Sequence, residues 1–272
     1  MKTYIVDSFT DKPFKGNPAG VCMVESPLSE SQMQAIALEL NFSETAFVVP
    51  SENSTSFSIR YFSPVMEIPL CGHATLASSK VLFQDSARDK IKFVTGHGVE
   101  LDISRCAGQI VMEFPVYDLE PRSIPESVFE ALGIPSEESI NSEFNKETQI
   151  VLLEIKSTET LANLSPDFVK LLPCYDDVHG LLVTAKSEDD EFDFHSRFFW
   201  PWSGGEEDPV TGGTHTFLTK YWGTRLGKTK MRSFQASKRT GMMDLELTES
   251  GKLLIKADAV IVMEGEWVGS LA

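Results

Sequence analysis

Cys71-Gly72-His73-Ala74-Thr75 opens a stretch, Gly72 to Phe83, of helical composition with apolar or small residues almost all the way round. A helix without a polar face is unsuited to a surface, so this one is expected to be enclosed by sheet. At an offset of 140 residues, about half the chain, Thr211-Gly212-Gly213-Thr214-His215 repeats the glycine turn and leads into a second helical stretch to Leu226, stopped by Gly227. An acid precedes each turn, Glu67 in one half and Asp208 in the other, and a strand cluster follows each helix, Lys92-Phe93-Val94 and Arg232-Ser233-Phe234. The pattern predicts an internally duplicated α+β protein.

The rest of the first half reads as strands around one more helix. Thr3–Asp7 and Val21–Val24 flank a loop containing Gly16-Asn17-Pro18-Ala19. Ser29 with Gln32 forms a capping box, and Met33, Ile36, Ala37 and Leu40 make one apolar stripe on a helix ending near Asn41. Strands are expected at Thr45–Val49, Ser56–Phe62, Lys90–Val94, Gly98–Ile103 and Gln109–Phe114. Three prolines between Pro115 and Pro125 mark a linker. Beyond it are predicted a helix from about Pro125, strands at Thr148–Ile155, Gly180–Ala185 and Asp193–Phe199, the Thr211–Leu226 helix and several C-terminal strands. The division is placed at 1–117 and 118–272, with the last strand able to return to the first domain.

Composition narrows the function. A chain of 272 residues, 42% hydrophobic and 24% charged, has the make-up of a globular protein with a sizeable core. Its formal charge of −16 repels phosphate backbones and anionic membranes, so neither nucleic acid nor a membrane is expected as partner. The longest stretch without a charged side chain, Ile68 to Ser79, is 12 residues, well short of the ~20 that span a bilayer. The N-terminus has no signal-peptide pattern, which suggests a cytoplasmic protein. Four scattered cysteines and five histidines lack the spacings of zinc, redox or metallohydrolase motifs, so reduced thiols and no metal are expected.

A few residues could carry chemistry. The glycine-helix junctions at Gly72, Gly212 and Gly213 expose unpaired N–H groups that can hold a carboxylate, although each could equally serve only to turn the chain. Glu44 enters the apolar strand Thr45-Ala46-Phe47-Val48-Val49, where a carboxyl needs partners or a proton; it is either a tuned proton shuttle or a solvated helix-end acid. His73, in the first turn of a buried helix, is expected to be neutral, and a satisfied core histidine is the competing reading. Asp208 before Pro209 could merely cap the following helix. Cys71 has Thr211 as its counterpart, so a two-thiol racemase is excluded and Cys71 reads as a small buried residue.

Five blocks in register strengthen the functional readings: Phe14-Lys15-Gly16-Asn17-Pro18-Ala19 with Asp7-Ser8-Phe9, Asn41-Phe42-Ser43-Glu44-Thr45-Ala46-Phe47, Arg60-Tyr61-Phe62-Ser63-Pro64, Leu70 to Ala77, and Glu207-Asp208-Pro209-Val210-Thr211-Gly212. Together they resemble the phenazine-biosynthesis PhzF-like isomerase family across nearly the whole chain. The resemblance implies a diaminopimelate-epimerase-like fold of two pseudo-symmetric domains, each a curved, mostly antiparallel sheet around a central helix, with the active site in the cleft between them. It implies a cofactor-independent isomerase, a homodimer, acting on a small carboxylate-bearing molecule. In the member named for phenazine synthesis the matching glutamate moves a proton within trans-2,3-dihydro-3-hydroxyanthranilate.

Carried over by position, Glu44 is the general acid/base, and His73 and Asp208 orient the substrate and its protons. Asn17, Cys71, Gly72, Gly212 and Gly213 fall at substrate-binding positions, and no metal is implied. Two positions depart from the family: Gly213 stands where the pattern has serine, and Thr240 where glycine is common. The rival readings are a single-thiol epimerase or dehydratase using Cys71, and a non-catalytic small-anion-binding or protein-interaction module.

Overall fold

The computed structural model describes residues 1–25, 28–51, 56–84 and 86–268. The chain divides into two compact units: residues Met1–Glu113 with Leu254–Ala272, and residues Phe114–Leu253.

Unit 1 comprises β1 (Lys2–Ser8), β2 (Asn17–Met23), α1 (Glu30–Leu40), β3 (Thr45–Pro50), β4 (Ser56–Phe62), β5 (Glu67–Ile68), α2 (Gly72–Gln84), β6 (Lys90–Thr95), β7 (Glu100–Cys106) and β8 (Gln109–Phe114). Unit 2 follows with β9 (Glu120–Pro121), α3 (Glu126–Leu132), β10 (Ser139–Asn145), β11 (Ile150–Ile155), α4 (Thr158–Asn163), α5 (Phe168–Leu171), β12 (Gly180–Lys186), β13 (Phe194–Phe199), β14 (Glu207–Asp208), α6 (His215–Leu226), β15 (Lys230–Gln235) and β16 (Gly241–Leu247). The chain then returns to unit 1 as β17 (Leu253–Ala257) and β18 (Ala259–Glu266). Here β17 pairs with β8 and β18 lies antiparallel to β1.

The duplication is written into the strand pairings. In unit 1, β1–β2 is antiparallel, β2–β3 parallel, β3–β4 antiparallel, β4–β6 parallel and β6–β7 antiparallel, with the short β5 folded back on β4. Unit 2 repeats every step: β10–β11 antiparallel, β11–β12 parallel, β12–β13 antiparallel, β13–β15 parallel, β15–β16 antiparallel, and β14 folded back on β13. Each unit is therefore mixed but mostly antiparallel.

The register corrects one equivalence. Glu67 pairs with Phe62 and Glu207 with Phe199, so the counterpart of Glu67 is Glu207, and Asp208 occupies the place of Ile68. The two glutamates do the same work. Arg60 grips Glu67 through Nε (2.7 Å) and Nη2 (2.5 Å), and Arg197 grips Glu207 through Nε (2.7 Å) and Nη2 (2.9 Å). Such two-pronged pairs fix geometry as well as charge, and they tie each short strand to its long neighbour.

Helix α2 is buried on nearly all faces, from His73 through Ser79 and again at Leu82 and Phe83, and packs against β1, β2, β3 and β18. Its hydroxyls survive burial by bonding back along the helix: Thr75 Oγ1 donates to the Cys71 carbonyl (2.6 Å), Ser78 to Ala74 and Ser79 to Thr75 (both 2.7 Å). Helix α1 has the expected capping box at Ser29 and ends at Asn41 in the left-handed conformation. Its Met33, Ile36 and Ala37 bury against Cys22, Phe47 and Phe62.

Other differences from expectation have local causes. Helix α6 begins at His215, not Thr211, because the Thr211 carbonyl, which would accept the first helical N–H, is taken by His215 Nδ1 and Thr214 Oγ1 (both 3.0 Å). The His215 N–H turns instead to the Gly212 carbonyl (3.1 Å), a tighter turn. The proline-rich stretch expected as a linker contains β9, which pairs with β10. Strand β10 and helices α4 and α5 had no clear sequence signal: β10 is Ser139-Ile140-Asn141-Ser142-Glu143-Phe144-Asn145, too polar to alternate. Among the described residues no helix is long and apolar enough to cross a membrane.

Candidate functional site

The end of α1 and the start of β3 place Glu44. Asn41 turns the chain at φ 53°, and three residues later the Glu44 carbonyl accepts the Gly20 N–H (3.3 Å), locking it beside β2. Its side chain meets the first turn of α2: Glu44 Oε2 lies 3.2 Å from His73 Nε2, and both side chains are nearly enclosed, 13% and 9% exposed. Cys71 Sγ is 3.4 Å from Nδ1 and 4.0 Å from Nε2, and Ser43 Oγ is 3.5 Å from Nε2. Ser8 Oγ donates to the His73 carbonyl (2.8 Å).

Burial pushes the His73 pKa down, a shift only partly opposed by the nearby Glu44 carboxyl, so the ring is neutral at neutral pH. A neutral imidazole has one N–H and one lone pair. With Nε2–H donating to Glu44, Nδ1 is left to accept from the Cys71 thiol; with the carboxyl protonated, Glu44 donates to Nε2. In either state one hydrogen bridges Glu44 and His73, an arrangement suited to proton transfer.

The loop between β1 and β2 supports this corner. Asn17, fully buried, pairs in register with Ser8, the residue that holds the His73 carbonyl. Gly16 has φ +66°, and a Cβ there would lie 2.0 Å from the Ser8 carbonyl oxygen, so only glycine closes this turn. Asp7 accepts the Phe14 N–H (2.7 Å), fixing the far side of the loop. Gly72 begins α2, where the first N–H groups lack intrahelical partners. Unit 1 thus brings together Glu44, Cys71, Gly72, His73 and the Asn17 turn.

Unit 2 gathers the remaining candidates. Thr211 Oγ1 donates to Asp208 Oδ2, aiming that carboxylate. Gln235 on β15 clamps the same turn from both sides, accepting the Thr211 N–H (2.9 Å) and donating to the Asp208 carbonyl (2.8 Å). Ser237 Oγ donates to the Pro209 carbonyl (2.6 Å). Gly212 is buried and Gly213 exposed, and a Cβ on Gly213 would meet nothing within 4 Å.

His215 and Gln235 were not singled out from sequence. His215 is completely buried, with its pKa pushed down to about 4 by desolvation. Nδ1 faces the Thr211 carbonyl and must therefore carry the hydrogen, while Nε2 accepts from Ser233 Oγ (3.0 Å). The signal available was its place in the duplication, opposite Thr75, whose hydroxyl likewise reaches back to the carbonyl four residues earlier. A groove of about 560 Å³ in unit 2 is lined in part by Glu207, Pro209, Ser237, Lys238 and Arg239, but not by Asp208, Gly212 or Gly213.

Glu44, Cys71 and His73 also form the group among the described residues that could hold a metal ion, their donor atoms all lying within 4.8 Å of one another. Among those residues no disulfide joins the four cysteines.

Residues 6–265 match the model of the phenazine biosynthesis-like protein family. This chain belongs to that family. An uncharacterized isomerase of Pseudomonas aeruginosa is 41% identical, the match covering 97% of this chain and 98% of the relative. A crystal structure of a PhzF-family phenazine biosynthesis protein from Enterococcus faecalis is 36% identical and superposes with a TM-score of 0.88 over 97% of each chain. The fold alone extends to a probable proline racemase of Agrobacterium radiobacter, 9% identical, TM-score 0.61, over 98% of this chain and 92% of the other. The architecture is therefore the α+β, diaminopimelate-epimerase-like one of two similar units.

Proposed function

We propose that this family member is a cofactor-independent isomerase that moves a proton within a small carboxylate-bearing metabolite, with Glu44 as the group that carries it. The supporting observation is the Glu44–His73 contact of 3.2 Å in a nearly closed corner that also holds the Cys71 thiol. Family membership and the relative named as an isomerase support the reaction class.

The chemistry balances with one carboxyl. Glu44 takes a proton from one substrate carbon, the electron pair shifts along the conjugated system, and the same carboxyl returns the proton to another carbon. No redox partner enters. His73, being neutral, can accept a hydrogen bond from protonated Glu44 or donate one to its carboxylate, so both states of the shuttle keep a partner without a second charge in the corner. Within unit 1 the N–H groups at Gly72, beside Glu44 and His73, can hold the substrate's carboxylate; within unit 2, Asp208, aimed by Thr211, and the N–H groups at Gly212 and Gly213 can orient a polar ligand.

The missing hydroxyl at Gly213 favours a substrate bulkier than dihydrohydroxyanthranilate, or one lacking an acceptor at that point. A second reading uses the Cys71 thiol as the base, favoured by its 3.4 Å approach to His73 Nδ1. Turnover of a panel of small carboxylates by wild type and Glu44→Gln separates the two. The carboxyl mechanism predicts a loss of at least ~100-fold in Glu44→Gln with ligand binding retained; undiminished turnover in that variant sinks it.

A further inference from the structure

The fold assembles three different donors that are not grouped in sequence. Cys71 and His73 are one residue apart, which is no zinc-binding spacing, and Glu44 lies 27 residues earlier. In the folded unit the thiol sulfur, an imidazole nitrogen and a carboxylate oxygen lie within 4.8 Å of one another. Ordinary zinc bond lengths place tetrahedral N, O and S ligands ~3.3 to 3.7 Å apart. Here Nε2 and Oε2 are 3.2 Å apart, and Nε2 and Sγ 4.0 Å. Rotations about the side-chain bonds of Cys71 and Glu44 can supply the small remaining adjustment.

We propose that Glu44, Cys71 and His73 form an inhibitory site for a thiophilic divalent cation of the zinc type. A mixed sulfur, nitrogen and oxygen set suits zinc and disfavours magnesium and calcium, which prefer all-oxygen shells. Binding releases the Cys71 thiol proton to solvent, shifts the ring hydrogen from Nε2 to Nδ1, and places the metal on the sulfur, His73 Nε2 and the ionised Glu44 Oε2, with the fourth position open to water. The ion thus occupies the carboxylate oxygen and ring nitrogen that share a hydrogen in the metal-free site. The blocking effect rests on the isomerase reading, whereas the coordination itself does not.

Titration of the reduced, full-length protein with Co²⁺ under anaerobic conditions, followed by Zn²⁺ competition, tests this without any substrate. The expected result is one cobalt per chain, with a thiolate-to-cobalt charge-transfer band and tetrahedral visible bands, displaced by one equivalent of Zn²⁺. The charge-transfer band should vanish in Cys71→Ser, and affinity should fall at least 10-fold in Glu44→Gln. Cys106→Ser and Cys174→Ser should leave the spectrum unchanged. A circular-dichroism melt confirms that Cys71→Ser and Glu44→Gln are folded. No thiolate band in the wild type, a band that survives Cys71→Ser, or one that disappears with Cys106 or Cys174 overturns the site. Failure here leaves turnover in Glu44→Gln as a separate test of the isomerase reading.

Discussion

Single side chains carry the specificity argument. Gly213 is exposed, its φ lies outside the left-handed region, and a Cβ there would meet nothing. Gly213→Ser should therefore leave stability within ~0.5 kcal/mol of wild type, as surface substitutions usually do. If the absent hydroxyl limits recognition, wild type should be slow or inactive on dihydrohydroxyanthranilate, and the serine should raise activity. One hydrogen bond to an otherwise unpaired substrate oxygen is worth ~1 to 3 kcal/mol, or roughly 5- to 150-fold in kcat/KM. Steady-state kinetics on that compound check it: efficient wild-type conversion with no gain from the serine would show that this hydroxyl does not set specificity. The three site glycines, Gly72, Gly212 and Gly213, and Glu44 were readable from sequence because turn chemistry and the family blocks are local. The thiol–imidazole–carboxyl cluster was not, since it requires β3 to be brought beside the start of α2.

Between residues and molecule, the short strands β5 and β14 show how the duplicated plan was adapted. Arg197 is the more buried of the two anchoring arginines, 10% exposed against 28% for Arg60. Besides gripping Glu207, it donates to the carbonyls of Leu161 (3.2 Å), Ala162 (3.4 Å) and Leu164 (2.6 Å) at the end of α4. Arg197→Met strands the half-buried Glu207 carboxylate and leaves those carbonyls without this donor, so urea denaturation should show a loss on the order of 3 kcal/mol. Arg60→Met should cost clearly less, because water can replace more of its contacts; equal losses would refute the burial argument. The repeat itself was visible at an offset of 140, yet the acids were paired one residue out. The same offset, applied strictly, sets Glu67 on Glu207 and Ile68 on Asp208, and strand register shows that Arg60–Glu67 and Arg197–Glu207 are equivalent. A polar strand such as β10 was invisible for a related reason: its pairing with β9 and β11, rather than its own periodicity, makes it a strand.

For the whole molecule, buried neutral histidines make stability depend on pH. His215 ordinarily titrates near 6.5 but is held down to about 4 when folded. As pH falls through this window the unfolded chain takes up a proton that the folded state refuses, so stability is fullest above ~6.5 and declines toward 4. The slope from this one group is at most ~1.4 kcal/mol per pH unit. His73 shifts in the same direction, also through burial. Urea melts at pH 7 and pH 5 should show a smaller pH dependence in His215→Gln than in wild type. An unchanged dependence would mean that His215 is protonated as easily when folded as when unfolded. The −16 charge adds nothing to this contrast, because it is common to both proteins.

The claim that one carboxyl carries the proton is tested most directly by running the reaction in D₂O. A substrate found in the carboxylate screen is converted by wild type, Glu44→Gln and Cys71→Ser, and mass spectrometry follows product formation and deuterium at the carbon that receives the proton. The account predicts little deuterium at that carbon with wild type, because the carboxyl that removes the substrate's hydrogen returns it within the same turnover. It predicts turnover in Cys71→Ser above about a tenth of wild type, and a fall of at least ~100-fold in Glu44→Gln. Wild-type rates in Glu44→Gln, with conversion abolished in Cys71→Ser, would contradict it and assign the chemistry to the thiol.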